Sequence, residues 1–161
     1  MRPVFPGRFT VQTDAPFVVF LIGMRINRLW AIHRWAPFIL AMPRMLHYLA
    51  GHPEKGYLGG ETFVYWRGVG YLQYWRSFED LERFAADRGA PHLEAWRRLV
   101  KQTESDHTFG FWHETYTIEP GRWECVYGSM PRFGLAQVTQ HVPATGRRDS
   151  ARLRLSGAPA N

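Results

Sequence analysis

Phe17-Val-Val-Phe-Leu-Ile-Gly-Met24 is an apolar run of strand length with no polar face. It predicts a strand buried on both sides. Trp30, Ile32 and Trp35 follow at helical spacing, with Asn27 placed to cap the first turn. Pro37 and Pro43 each remove a helical N–H donor, so two helical pieces are expected between residues 28 and 50. Glu61–Arg67 reads as a second strand and Tyr71–Arg76 as a third, with Gly68 and Gly70 marking a tight hairpin between them. Ser77, with Asp80 three residues on, resembles a capping box and opens a helix that buries Leu81, Phe84 and Ala85 and ends at Gly89. Pro91 opens another helix, with Leu93, Trp96, Leu99 and Val100 on one face. Thr108–Ile118 is a fourth strand and Trp123–Tyr127 a short fifth, followed by a loop over residues 129–136.

The order β-α-β-β-α-β is that of a ferredoxin-like α+β domain, assigned to residues 17–136. Residues 1–16, with Pro3, Pro6 and Pro16, read as an irregular lead-in, and residues 137–161 as a basic tail without stable order. A ferredoxin-like sheet carries helices on one face only. In the third strand Tyr71, Gln73 and Trp75 alternate with Leu72, Tyr74 and Arg76, so neither face is suited to water. A homodimer packed sheet against sheet is the expected cover.

Composition narrows the setting. A chain of 161 residues accommodates one domain, and 16% aromatic residues make its core bulky. The formal charge of +6 would suit nucleic acid, anionic lipid or acidic partners, but Arg147, Arg148, Arg152 and Arg154 place part of it in the tail. A single cysteine, Cys125, allows neither an internal disulfide nor a Cys-based zinc site. No secretory signal stands at the N-terminus, and the long apolar stretch Leu29–Ala50 is interrupted by His33, Arg34, Arg44 and His47, so no membrane span and a cytoplasmic location are expected.

Seven stretches carry a resemblance to a known family: Phe17–Asn27, Trp30–Trp35, Met42-Pro-Arg44, Gln73–Leu81, Ala90-Pro-His-Leu93, Trp112-His-Glu-Thr-Tyr116 and Met130-Pro-Arg-Phe-Gly134. Together they resemble the monooxygenase-like family of small bacterial and fungal proteins related to the antibiotic-biosynthesis monooxygenases. The resemblance implies a dimeric α+β barrel. It also implies a pocket between sheet and helices, and cofactor-independent oxygenation of a small aromatic or polyketide-like substrate. Relatives of that fold include haem-handling enzymes and proteins of no known activity, so haem enters as an alternative, with His33, His47, His92, His107 and His113 as possible axial ligands. No metal site is expected.

Catalytic candidates follow from residue type and place. His92 stands at a helix start, where the positive helix end favours the neutral imidazole, a proton acceptor. His113 and Glu114 are neighbours on one strand and must point to opposite faces, so one of them faces the pocket and the other the dimer contact. Asn27, read first as a cap, and Arg25 end the first strand, where either would stabilise an enolate or phenolate. His33 and Trp35 on the next helix, with Trp66, Trp75 and Trp112, are the candidate substrate-binding set; core packing accounts for most tryptophans of this kind.

Two further classes compete. Arg67-Gly-Val-Gly-Tyr-Leu-Gln-Tyr74 matches the register of the RNA-binding signature of an RRM strand, with Val69 where a stacking aromatic belongs. A non-catalytic ligand-binding dimer is the third class.

Overall fold

Two antiparallel sheets organise residues 2–89 and 92–155, the parts described by the computed structural model; the side chains of His92 and Ala95 are outside that description. The strands are β1 (Phe5–Gln12), β2 (Phe17–Ile26), β3 (Tyr57–Tyr65), β4 (Gly68–Trp75), β5 (Phe109–Ile118), β6 (Tyr127–Met130) and β7 (Gln140–Pro143). The helices are α1 (Ile32–Ala50), α2 (Phe78–Ala86), α3 (His92–Ser105), α4 (Leu135–Val138) and α5 (Ala151–Leu155). The larger sheet runs β3-β4-β2-β5, with every pair antiparallel. This is the ferredoxin-like arrangement, with β2 between β4 and β5.

The apolar run of β2 is buried from both sides because alternate residues enter different cores. Val18 joins Leu49, Trp75, Leu81 and Phe84, with Phe20, Met45 and Tyr48 packed around them, beneath the helices. Phe17 joins Val11, Tyr74, Leu135 and Ala136 on the opposite face, with Val19, Leu72, Ile118 and Trp123 around them. That second core is closed by a smaller sheet of order β6-β1-β7. The lead-in and the tail therefore do not stay irregular. The Phe5–Gln12 segment is the central strand of the second sheet, and a register shift between Phe5 and Arg8 absorbs Pro6 and Gly7, the latter at φ 90°. The basic tail is tied down by its own arginines. Arg154 Nε donates to Glu124 (2.9 Å), Arg148 to Gln12 (2.6 Å), and Arg8 pairs with Asp149. Part of the face expected to need a second copy is thus covered by the same chain.

Other local expectations are corrected. Helix α1 is one 19-residue element with Pro37 and Pro43 inside it. A proline deletes one N–H and crowds the turn before it, yet the turns on either side keep their bonds, and Leu49, fully buried, anchors the helix to the sheet. Asn27 caps no helix; Ala31 holds the N-cap without a side-chain bond. The β3–β4 hairpin turns at Trp66-Arg67, with Trp66 at φ 46°. Gly68 and Gly70 instead lie within β4, where a Cβ on Gly68 would sit 1.7 Å from the Met24 carbonyl oxygen. Ser77 does cap α2, accepting from Asp80 N at 3.1 Å, and Asp87 rather than Gly89 ends that helix. The strand expected at Trp123–Tyr127 falls at Tyr127–Met130, because Trp123 turns its ring edge-on to Phe17 at 5.7 Å and packs against the second core. Among the described residues no helix is long and apolar enough to cross a membrane.

Candidate active site

On its helix-covered face the larger sheet is filled at one end and open along its middle. A cavity of about 620 Å³ lies between β2, β4 and β5 below and α1, α2 and α3 above. Its floor is Phe20, Ile22, Met24, Tyr71, Gln73 and Trp75, whose side chains share one face by strand alternation. Its walls come from Phe38, Met42 and Met45 of α1, Leu81 and Phe84 of α2, and Trp96 and Leu99 of α3. Trp96 meets Phe111 of β5 edge-on at 4.8 Å. The polar lining is mostly at the exposed rim: Arg44, Glu82, the Glu94–Arg98 ion pair, His113 and Thr115.

Register decides which predicted residues meet. Ile22 of β2 pairs with Tyr71 on one side and His113 on the other, and Phe20 pairs with Gln73 and Thr115. His113 therefore faces the cavity, its ring 5.7 Å from that of Phe20. Glu114 points to the opposite face, where it accepts a hydrogen bond from Tyr116 at 2.5 Å, so it does not share the pocket. Tyr71 is buried, and that burial raises its phenol above the ordinary range and keeps it a neutral donor.

Most of the other candidates lie outside the cavity lining. Asn27 donates to the His107 carbonyl at 3.0 Å and accepts from Arg25, which ties the end of β2 to the approach to β5. Arg25 stacks on the ring of Trp66 at 4.3 Å, on the far side of the sheet's end. Trp66 is 77% exposed in its turn. His33 is exposed on α1, and Trp35 donates to the Leu29 carbonyl at 3.3 Å. Trp112 lies on the second face, its indole packed over Gly23 and its N–H donated to the Tyr65 hydroxyl. Trp75, fully buried, is the member of the predicted tryptophan set that lines the cavity. His92 begins α3, and its side chain lies outside the described residues. Of the histidines considered for haem, His33, His47 and His107 are exposed away from the cavity, and His113 lines it. Among the described residues no cluster of three or more His, Cys, Asp or Glu side chains is arranged to hold a metal ion.

Gln73 is the residue that sequence reasoning passed over as a site. It is 1% exposed; its Oε1 accepts from Trp75 Nε1 at 3.0 Å, and its Nε2 has no partner among the described residues. The available sign was an amide inside an otherwise aromatic strand. The same strand settles the RRM comparison. Val69 and Tyr71, which occupy the base-stacking positions of that signature, face the helices and line the cavity. The other face is partly covered by the second sheet.

Among solved structures, an aldoxime dehydratase in complex with butyraldoxime superposes with a TM-score of 0.68 at 12% identity, over 86% of this chain and 42% of that one. The chain therefore spans less than half of that enzyme's length, and the likeness is one of fold. SnoaB, a cofactor-independent oxygenase from Streptomyces nogalater, gives a TM-score of 0.46 at 17% identity, over 65% of this chain and 95% of its own. A dimeric protein of unknown function and ferredoxin-like fold from Bacteroides fragilis gives 0.46 at 9% identity, over 63% of this chain and 96% of its own. No curated protein matches the chain. The model of the monooxygenase af470-like family matches residues 17–135, which hold β2 to β6 and every described residue of the cavity lining. On that match the chain belongs to the monooxygenase af470-like family.

Proposed function

We propose that the protein is a cofactor-independent monooxygenase for a small aromatic or polyketide-like substrate held in the cavity between sheet and helices. The observation that carries this reading is an aromatic-walled cavity of about 620 Å³ with an imidazole on its rim, in a chain of a monooxygenase family. In this scheme His113 takes a proton from an acidic C–H of the substrate, as imidazole does in many general-base reactions. The resulting carbanion, delocalised over the ring system, donates electrons to molecular oxygen. One oxygen atom ends in a new carbonyl at that carbon, and the other leaves as water with the two hydrogens the carbon gives up. The apolar walls exclude water from the anion. His92 is a second proton acceptor in the proposal, on the helix that contributes Trp96 and Leu99 to the cavity.

Oxygen uptake with an anthrone tests the reading. Wild-type protein is expected to consume oxygen and form the quinone. His113→Ala is expected to lower turnover about 100-fold. Absence of turnover in the wild type overturns the oxygenase reading in favour of a ligand binder, and an undiminished rate in the variant removes His113 as the base.

The proposal includes a homodimer. Residues 113–117 of the edge strand β5 are exposed on both faces, and Phe63, Tyr65 and Trp112 lie on the part of the second face outside the second core. Light scattering at micromolar concentration is expected to give twice the 18.8-kDa chain mass. A clean monomer overturns this element of the proposal.

A haem-dependent reading draws on the same cavity. His113 is the histidine among its described lining residues, and Arg44 and Arg98 stand at the rim as cations of the kind that porphyrin carboxylates take. A Soret band after addition of haemin favours this reading, and turnover by colourless protein favours the first.

A further inference from the structure

We propose that Gln73, oriented by Trp75, is the hydrogen-bond donor that positions a carbonyl or phenolic oxygen of the cavity's ligand. The inference deepens the reading above. It rests on the cavity as the substrate site and not on the oxygen chemistry.

An indole N–H can only donate, so the atom of Gln73 that lies 3.0 Å from Trp75 Nε1 is the amide oxygen. This assignment leaves the amide nitrogen, with two hydrogens, on the other arm. That nitrogen is shut off from solvent and has no acceptor among the described residues. Protein interiors pair nearly all such groups, and of the buried unpaired side-chain nitrogens among the described residues, those of Arg25, Arg67, Gln73, Trp123 and His141, that of Gln73 belongs to a cavity-lining residue. The adjoining floor and walls, Phe20, Tyr71, Trp75 and Phe84, offer no carboxylate, and Glu82 and Glu94 are exposed at the rim. The proposal assigns this acceptor to the ligand.

Register adds the ligand's shape. Gln73 and Thr115 flank Phe20, and Tyr71 and His113 flank Ile22. The rows bearing Gln73 and His113 are thus two strand spacings apart, about 10 Å between backbones. A flat fused-ring ligand lying on Phe20 and Ile22 would present opposite edges to those rows. Within the substrate class proposed above, a planar ketone whose acidic CH₂ lies across the ring system from its carbonyl has this arrangement. Removal of a proton at the edge near His113 delocalises negative charge to the oxygen at the far edge, where the amide of Gln73 donates. In this arrangement Gln73 contacts the ligand and Trp75 is a positioning residue.

The test is binding under anaerobic conditions, which separates recognition from turnover. The probes are anthrone and 9,10-dihydroanthracene, which has CH₂ in place of the carbonyl. Wild-type protein is expected to prefer anthrone about tenfold. Gln73→Met and Gln73→Leu, each checked for native circular dichroism, are expected to bind both probes equally. Trp75→Phe, which also reshapes the cavity floor, is expected to weaken binding of both probes and to lose part of the preference for anthrone; the readout is the ratio of the two affinities, which a purely structural role would leave unchanged. Full retention of the preference in either folded Gln73 variant overturns the proposal, as does failure of wild type to bind either probe. A preference abolished in the Gln73 variants with no oxygen uptake by wild type removes the oxygenase reading alone. Oxygen uptake with an unchanged preference removes the role of Gln73 alone.

Discussion

At the scale of single residues, the tightest surroundings of any described glycine are those of Gly68. β4 runs so near β2 there that an added Cβ would lie 1.7 Å from the Met24 carbonyl oxygen. β2 is held by partners on both sides and has no room to retreat. Gly68→Ala is expected to destabilise the protein by about 3 kcal/mol. Gly128→Ala, at a strand position with nothing within 4 Å of the new methyl, is expected to change stability by less than about 0.5 kcal/mol. Urea titration of both variants checks the contrast. Gly68 was visible in the sequence as a glycine of the hairpin, but the reason for it was not, because the obstructing carbonyl belongs to a strand more than 40 positions earlier. His113 and Glu114 are similar. Alternation requires them to diverge, and the pairing of Ile22 with His113 chooses which one enters the cavity.

Among the elements, α2 shows how local and distant bonds combine. Ser77 supplies the N-cap, a purely local device that the sequence displays. Asp80 in its first turn, with its side chain only 7% exposed, accepts from Arg76 at 2.7 Å and Arg83 at 2.9 Å, and it packs against Gly56, which closes the short turn Pro53–Lys55 before β3. The hydrogen bond from Arg76 and the charges of both arginines hold its carboxyl below the usual range. A carboxyl depressed in the folded state stabilises the fold above the ordinary carboxylate range, and that stabilisation is lost as pH falls through the lowered value. Both arginine heads are exposed, so solvent screening limits the contribution, and Asp80→Asn is expected to cost about 1 kcal/mol at neutral pH. The variant should also lose part of the acid destabilisation of the wild type. Unfolding midpoints measured from pH 7 down to pH 3 check this; parallel curves for the two proteins would contradict it.

On the scale of the whole molecule, the chain closes part of its own second face. β1 and β7 lie outside residues 17–135, yet Val11 of β1 is buried with Phe17, Tyr74, Leu135 and Ala136. A chain cut to residues 17–135 should expose that apolar core. It is expected to bind more hydrophobic dye than the full chain and to unfold less cooperatively. An unchanged thermal midpoint in the shortened chain would show that the second sheet contributes little. The basic tail changes meaning at this scale too. Arg154 and Arg148 are held by Glu124 and Gln12 against the second sheet, and Arg147 and Arg152 stay exposed, so part of the tail's charge serves the fold.

The order of strands and helices from Phe17 to Ile118 was determined by the sequence alone, because apolar periodicity, the Ser77 cap and strand-length runs act over a few neighbouring residues. The tertiary structure decided what depends on partners distant along the chain. It placed His113 inward and Glu114 outward through the register of β5 on β2. It used Asn27 to join two strands rather than to cap a helix, recruited both ends of the chain into one sheet, and left the amide of Gln73 buried beside a cavity. Those outcomes follow from which backbone lies alongside which, a relation that no local pattern of residues carries.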